Sequence, residues 1–255
     1  MLFLNANASL FDKGHSMYMI LSTIATAVIL LLAHKYIKTQ RGKDRFLKLF
    51  AILTVIIHYS VVYVDLFKNG TREIGNTMLF AIHPCNICMW LLLIAALIKD
   101  KSTVAYRMLA EFVFWAGTIC GFIGILLNEN YVGNGLEDYE AFKGLLSHST
   151  MVLGAIYMLL GGYMKIRVKN LLSVTAGLLF FVVHGAMINA LFSKFNLGEP
   201  NSMYLQESPF PSLPWLNTPV IGVMALTVCF ILTALYEQAA LKKEDRWYSL
   251  HRKSK

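Results

Sequence analysis

Residues 17–36 read MYMILSTIATAVILLLAHKY, and residues 37–48 read IKTQRGKDRFLK. The first stretch has no charged side chain before Lys35, and about 20 apolar residues are what a helix needs to cross roughly 30 Å of hydrocarbon. The second is crowded with lysine and arginine. This pairing of an apolar block with a short polar connector recurs along the chain. It gives candidate spans at 17–36, 46–66, 77–98, 104–127, 144–164, 171–192 and 218–240.

Composition agrees with that reading. The chain of 255 residues is 56% hydrophobic and 15% charged, against roughly 25% charged in soluble domains. Lipid offers a bare backbone no hydrogen bonds, so each block is expected to be a helix, and no run of alternating residues indicates a barrel. The first block begins too far from Met1 and runs too long for a cleaved signal peptide, and no small-residue cleavage site follows it, so it is expected to be retained. No repeat, low-complexity tract or soluble domain interrupts the pattern. The expected fold is all-α: residues 1–255 form a single integral membrane domain, a polytopic bundle of about seven transmembrane helices.

Charge predicts the orientation. Lys35, Lys38, Arg41, Lys43, Arg45 and Lys48 fill the first connector, and Lys99, Lys101 and Arg107 the third. Lys165, Arg167 and Lys169 form the fifth, and Lys242, Lys243, Arg246, Arg252, Lys253 and Lys255 the tail, which puts 18 of 23 basic residues on one side. The positive-inside rule makes that side cytoplasmic, with the N-terminus outside and the C-terminus inside, in a cell membrane. The basic pI of about 9.3 then reports topology and attraction to anionic lipid, and gives no reason to expect nucleic acid. The longest outer connector, about 193–217, holds Pro200, Pro209-Phe210-Pro211 and Pro214-Trp215. It excludes a continuing helix and is expected either to lie over the bundle as a cap or to serve as an interfacial connector.

Polar side chains within the spans are the functional candidates, because ionisable groups in hydrocarbon are costly and face a bundle interior or a polar cavity. They are His58, His83 with Cys85, Asn86 and Cys88, Glu111, His148, and His184 with Asn189. At about 1.5 Å per residue, His58, Cys85 and His184 lie roughly 12 Å below the outer ends of their helices and His148 roughly 6 Å below. Glu111 alone sits toward the inner side. His83 and Cys85 are about 200° apart around the helix of span 77–98, so His83 is expected to be a poor base for this thiol, and an activating imidazole is expected from His148, His184 or His58. In such a helix Pro84 removes the bond to the Phe80 carbonyl and is expected to kink it.

Plainer readings stand beside these. A cysteine in an apolar helix is commonly a small, inert hydrophobe, the expectation for Cys120 and Cys229. His58 faces the same way as Asp65, which suits a structural contact. Gly117, Gly121 and Gly124 fit close helix packing. Cys85-x-x-Cys88 within a membrane helix is a weak redox signal, and the four cysteines form no disulfide framework.

The segments His83-Pro84-Cys85-Asn86-Ile87, Leu146-Ser147-His148-Ser149 and Phe180-Phe181-Val182-Val183-His184, followed by Asn196-Leu197, resemble the bacterial YwaF-like integral membrane family. They also resemble the eukaryotic transmembrane protein 164 family, described as phospholipid acyltransferases that use a cysteine and a histidine. The likeness runs from about residue 45 to 240. It implies Cys85 as nucleophile and His148 as base. His184 falls on a third histidine, and His83 and Asn86 depart from the eukaryotic pattern beside Pro84-Cys85.

The chemistry so implied is acyl transfer or hydrolysis through a thioester on membrane phospholipids. His184, Asn86, Asn189, His83 and His58 are the candidates for substrate binding or for donors to the oxyanion. No cofactor or metal is required, although three histidines and a cysteine at one depth also suit zinc. Two other classes fit a seven-helix bundle with buried histidines. One is a transporter or channel that binds solute or protons, the other a non-catalytic structural membrane protein.

Overall fold

A computed structural model describes residues 8–69, 81–209 and 213–250, with side chains for all of these except Val61, residues 65–69 and Leu250. The start of the third expected span (77–80), the Asp65 side chain, Phe210-Pro211, and Arg252, Lys253 and Lys255 of the tail therefore lie outside the described residues.

The described residues are helical, without strands. The helices are α1 (Lys13–Tyr36), α2 (Gln40–Asn69), α3 (Pro84–Leu97), α4 (Val104–Leu126), α5 (Tyr139–Leu160), α6 (Leu171–Phe195), α7 (Thr218–Ala240) and the short α8 (Trp247–Leu250). Their starts follow from local chemistry. Asp12, Thr103, Asp138 and Asn217 each accept an amide N–H of the first turn of α1, α4, α5 and α7, satisfying a donor that the helix itself leaves free. Three amide donors and the Tyr131 hydroxyl surround the Asp12 carboxylate. The His15 amide is the strongest, and together they hold its pKa below the usual carboxylate range.

Among the described residues six helices, all but α3 and α8, are long and apolar enough to cross a membrane. The chain is a polytopic helical membrane bundle. Its seventh apolar helix, α3, has 14 residues and spans only about 21 Å, because it begins at Pro84 and not near residue 77.

The core is centred on α5, which packs on α4, α2, α3 and α1. Glycines set the α4–α5 approach: a Cβ on Gly117 would lie 3.1 Å from Ala155 Cβ, and one on Gly121 would collide with Val152 Cγ2. Small residues at helix interfaces let backbones approach in this way where lipid supplies no hydrophobic drive. α1 and α7 lie at the periphery and expose Leu21, Ile24, Leu31, Val223, Ile231 and Leu235. So much outward apolar surface is stable only against lipid.

The helices alternate in direction, and polar clusters close both ends. At the basic end Asp44 accepts hydrogen bonds from Gln40 and Tyr163 and lies 3.7 Å from Lys101 Nζ. Glu111 accepts from Ser173 and Asn170, and buried Glu237 from the amides of Val168 and Trp247. At the opposite end Tyr131 donates to Asp12, and His15 Nε2 donates to the Ile125 carbonyl at 2.8 Å, tying α1 to α4.

Candidate functional site

The site is built around the start of α3. The expected kink at Pro84 is absent, because Pro84 opens the helix, and His83 before it is extended (φ −93°, ψ 152°). Proline suits a first helical position: its missing N–H would have had no partner there, and its fixed φ is already helical. Cys85 is consequently the second residue of α3, with its half-buried thiol at a helix N-terminus, where free amides and the helix dipole favour negative charge.

Residues 81–83 do not enter the helix, so their carbonyls are open to other partners. His184 Nε2 on α6 donates to Ala81 O at 2.9 Å. Ile82 O accepts both the Met203 amide and the Ser202 hydroxyl, each at 3.0 Å. The Ser202 amide in turn donates to Asn189 Oδ1 on α6 at 2.7 Å. His184 and Asn189, two of the candidate oxyanion donors, are thus engaged in holding backbone. The described part of the long connector packs on α6 and on the residues just before α3. Ser202 and Met203 are buried, Met203 Cβ occupies the place a Cβ on Gly185 would need, and the Tyr204 ring stacks on His83 with centroids 5.5 Å apart. Thr218 at the head of α7 donates to the carbonyls of Met203 and Tyr204. Asn201, Met203 and Tyr204 all have positive φ (44°, 56° and 55°), a conformation non-glycine residues adopt only where surrounding contacts impose it. Burial pushes the Tyr204 phenol pKa up from its ordinary value, which keeps the ring neutral on the imidazole.

From Cys85 a polar chain runs inward. Its thiol donates to Asn86 Oδ1 at 3.5 Å, and Asn86 Nδ2 donates to His58 Nε2 on α2 at 2.8 Å. Accepting at Nε2 places the His58 proton on Nδ1, and that buried atom has no hydrogen-bond partner among the described residues. The His58 ring is edge-on to Tyr59, whose hydroxyl accepts the Trp90 indole N–H.

His148 on α5 has the reverse arrangement. Its Nδ1 donates to Gly144 O at 2.7 Å, while buried Nε2 has no partner among the described residues. The ring lies against α4 where Gly124 leaves space for it, since a Cβ there would collide with His148 Cδ2. A carbonyl that fixes Nδ1–H leaves Nε2 as the basic nitrogen, the tautomer a general base requires. His83 and His148 both lie within electrostatic range of His58. No hydrogen bond joins an imidazole directly to the Cys85 thiol among the described residues, where Asn86 is its side-chain partner.

Cys88 is hydrogen-bonded to the thiol of Cys120 on α4, and both thiols lie within electrostatic range of Cys85, whereas Cys229 is a fully buried part of the apolar core. All four cysteines are free thiols. Among the described residues no group of three or more His, Cys, Asp or Glu side chains is placed to hold a metal ion, so the zinc alternative finds no support in the geometry. Glu111 stays at the basic end with Ser173 and Asn170.

Two features went beyond the sequence reading. One is the part that residues 201–205, inside the connector expected to cap the bundle, play in holding the backbone before α3, since these residues carry no motif. The other is Lys143, buried in α5 and within electrostatic range of Cys85, His58 and His148. A signal for Lys143 did exist, because it is one of the few basic residues that depart from the one-sided charge distribution.

No curated protein and no solved structure matches the chain. The TMEM164 family model does match, over residues 10–236, a range that contains α1 to α6, most of α7 and every side chain of the polar chain around Cys85. On that match the chain belongs to the TMEM164 family.

Proposed function

We propose that this membrane protein is a phospholipid acyltransferase, or a hydrolase where water is the acceptor, that works through a thioester on Cys85. The observation that carries the reading is the Cys85 thiol at the N-terminus of α3, linked through Asn86 to His58, with His148 within electrostatic range of His58 and its Nε2 unpartnered among the described residues. Membership of the TMEM164 family supports it.

The chemistry runs in two halves. His148 Nε2 takes the thiol proton, and the thiolate attacks an ester carbonyl of the phospholipid. A sulfur–carbon bond forms, the ester carbon–oxygen bond breaks, and the leaving alkoxide recovers the proton from the imidazolium as a lysophospholipid. In the second half His148 deprotonates the hydroxyl of an acceptor lysophospholipid, or water. That oxygen attacks the thioester, and the thiolate is reprotonated. The Cys85 amide, which lies against the thiol, is the donor for the oxyanion, whereas the Asn86 amide is taken by the His83 carbonyl at 3.0 Å. His184 and Asn189, occupied with backbone, hold the segment before α3 in place.

Cys85→Ser and Cys88→Ser separate this reading from a packing or redox role. Both change little volume, but a hydroxyl without thiolate character is a far weaker nucleophile. Exchange of radiolabelled acyl chains between phospholipid and lysophospholipid in proteoliposomes is expected to fall at least about 100-fold for Cys85→Ser and to persist in Cys88→Ser. Equal losses in the two variants would point to the thiols acting as a structural or redox set.

A further inference from the structure

Lys143 is the fifth residue of α5 (Tyr139–Leu160) and is 5% exposed. It lies about 6 Å along the axis from Tyr139 and about 7.5 Å from His148, and it already takes part in polar interactions within the protein. An ammonium group buried in a membrane bundle is costly, and such groups mark a polar cavity or a substrate path. Its electrostatic neighbours are three functional candidates, Cys85, His58 and His148, contributed by three different helices. The basic residues that accompany topology stand instead at the other end of the bundle, among them Lys38, Lys101, Arg107 and Lys169. Topology therefore does not account for Lys143.

A glycerophospholipid carries its phosphate only a few bonds from its ester oxygens. Lys143 stands near the start of α5 and is close enough to the Cys85 thiol to act on it electrostatically, so the phosphate of a lipid whose ester carbonyl lies over that thiol comes within range of its charge. A lysine ammonium is a compact point charge suited to a phosphate diester. We propose that Lys143 recognises the phosphate of the lipid substrate and so makes the site selective for phosphate-bearing lipids over neutral glycerides. The link to catalysis rests on the acyl-transfer reading above, whereas headgroup recognition by itself does not.

The test has two arms. In the first, purified wild type, Lys143→Gln and Lys143→Arg are incubated with phosphatidylglycerol or with a diacylglycerol of the same chains, and the acyl adduct on Cys85 is quantified by peptide mass spectrometry. The ratio of phospholipid to diacylglycerol labelling is expected to fall about tenfold or more in Lys143→Gln, the scale of one lost charge-assisted contact, and to be largely kept in Lys143→Arg. A fall in both labellings by one common factor would overturn the proposal, because Lys143 would then serve the thiol or the histidines, and so would an unchanged ratio. The second arm needs no chemistry: retention of one phosphatidylglycerol over one diacylglycerol is measured by native mass spectrometry of the same variants. If wild type forms no adduct with either lipid yet loses this binding preference in Lys143→Gln, headgroup recognition stands and acyl transfer falls. Equal retention by wild type and Lys143→Gln overturns the proposal whatever the adducts show.

Discussion

Cys85 and His148 stood out as candidates with other polar residues, because a thiol and an imidazole inside apolar spans are conspicuous, and the family resemblance singled them out. Their surroundings were not legible. Pro84 has two roles open to it in a sequence, a kink within a helix or its first residue, and only the contacts of 81–83 with α6 and the long connector select the second. That selection turns Cys85 from a mid-helix residue into a helix N-terminal one. Gly124 is a similar case. It belongs to a stripe that reads as packing, and Gly117 and Gly121 do pack, but the space at Gly124 is filled by the His148 ring. Gly124→Ala places a methyl where the ring lies and is expected to displace it, lowering acyl exchange by about tenfold or more, the lower range for loss of a positioned base. Gly117→Ala, whose Cβ would meet Ala155 Cβ at 3.1 Å, is expected to act on thermal stability first. Proteoliposome assays and detergent melting curves of the two variants make the comparison, and equal activity in both would mean that the ring position is irrelevant to turnover.

At the scale of elements, α1, α2, α4, α5, α6 and α7 were readable because length and apolarity suffice to specify a membrane helix. The exception, α3, is shorter than its apolar run, since the backbone before it is satisfied from outside the helix. The Met203 amide and the Ser202 hydroxyl supply the Ile82 carbonyl, and His184 supplies that of Ala81. No periodicity or composition signals such a long-range substitution, and the left-handed residues Asn201, Met203 and Tyr204 are set by these contacts. The segment is therefore held by a few specific bonds against backbone strain of about 1–3 kcal/mol per residue. Ser202→Ala removes one donor to Ile82 O, and Asn189→Ala removes the acceptor of the Ser202 amide. In hydrogen exchange each is expected to raise the rate at Met203 about fivefold, for the net loss of about 1 kcal/mol, with little change in α4 and α5. Faster exchange spread evenly over the bundle would show that the segment is part of the global fold and does not open by itself.

For the molecule as a whole, the membrane-domain reading followed from composition, and the outward apolar faces of α1 and α7 accord with it. The side of the membrane on which Cys85 lies follows from charge bias alone. With the basic end cytoplasmic, a cysteine introduced at Asn134 is expected to react in intact cells with an impermeant maleimide, and one at Lys165 only after permeabilisation. Labelling of the Lys165 position from outside would invert the bundle and put the site in the cytoplasmic leaflet. Charge bias also kept Lys143 from notice, because a rule that sorts most basic residues makes the remainder look like scatter.

Whether Cys85 carries an acyl group is decided by the intact mass of the purified protein after incubation with defined phospholipids. A mass increase equal to one acyl chain, removed by hydroxylamine, mapped to Cys85 and absent from Cys85→Ser, is the expected result. A folded wild-type protein that gains no hydroxylamine-sensitive mass across phospholipids of varied headgroup and chain would contradict the covalent mechanism.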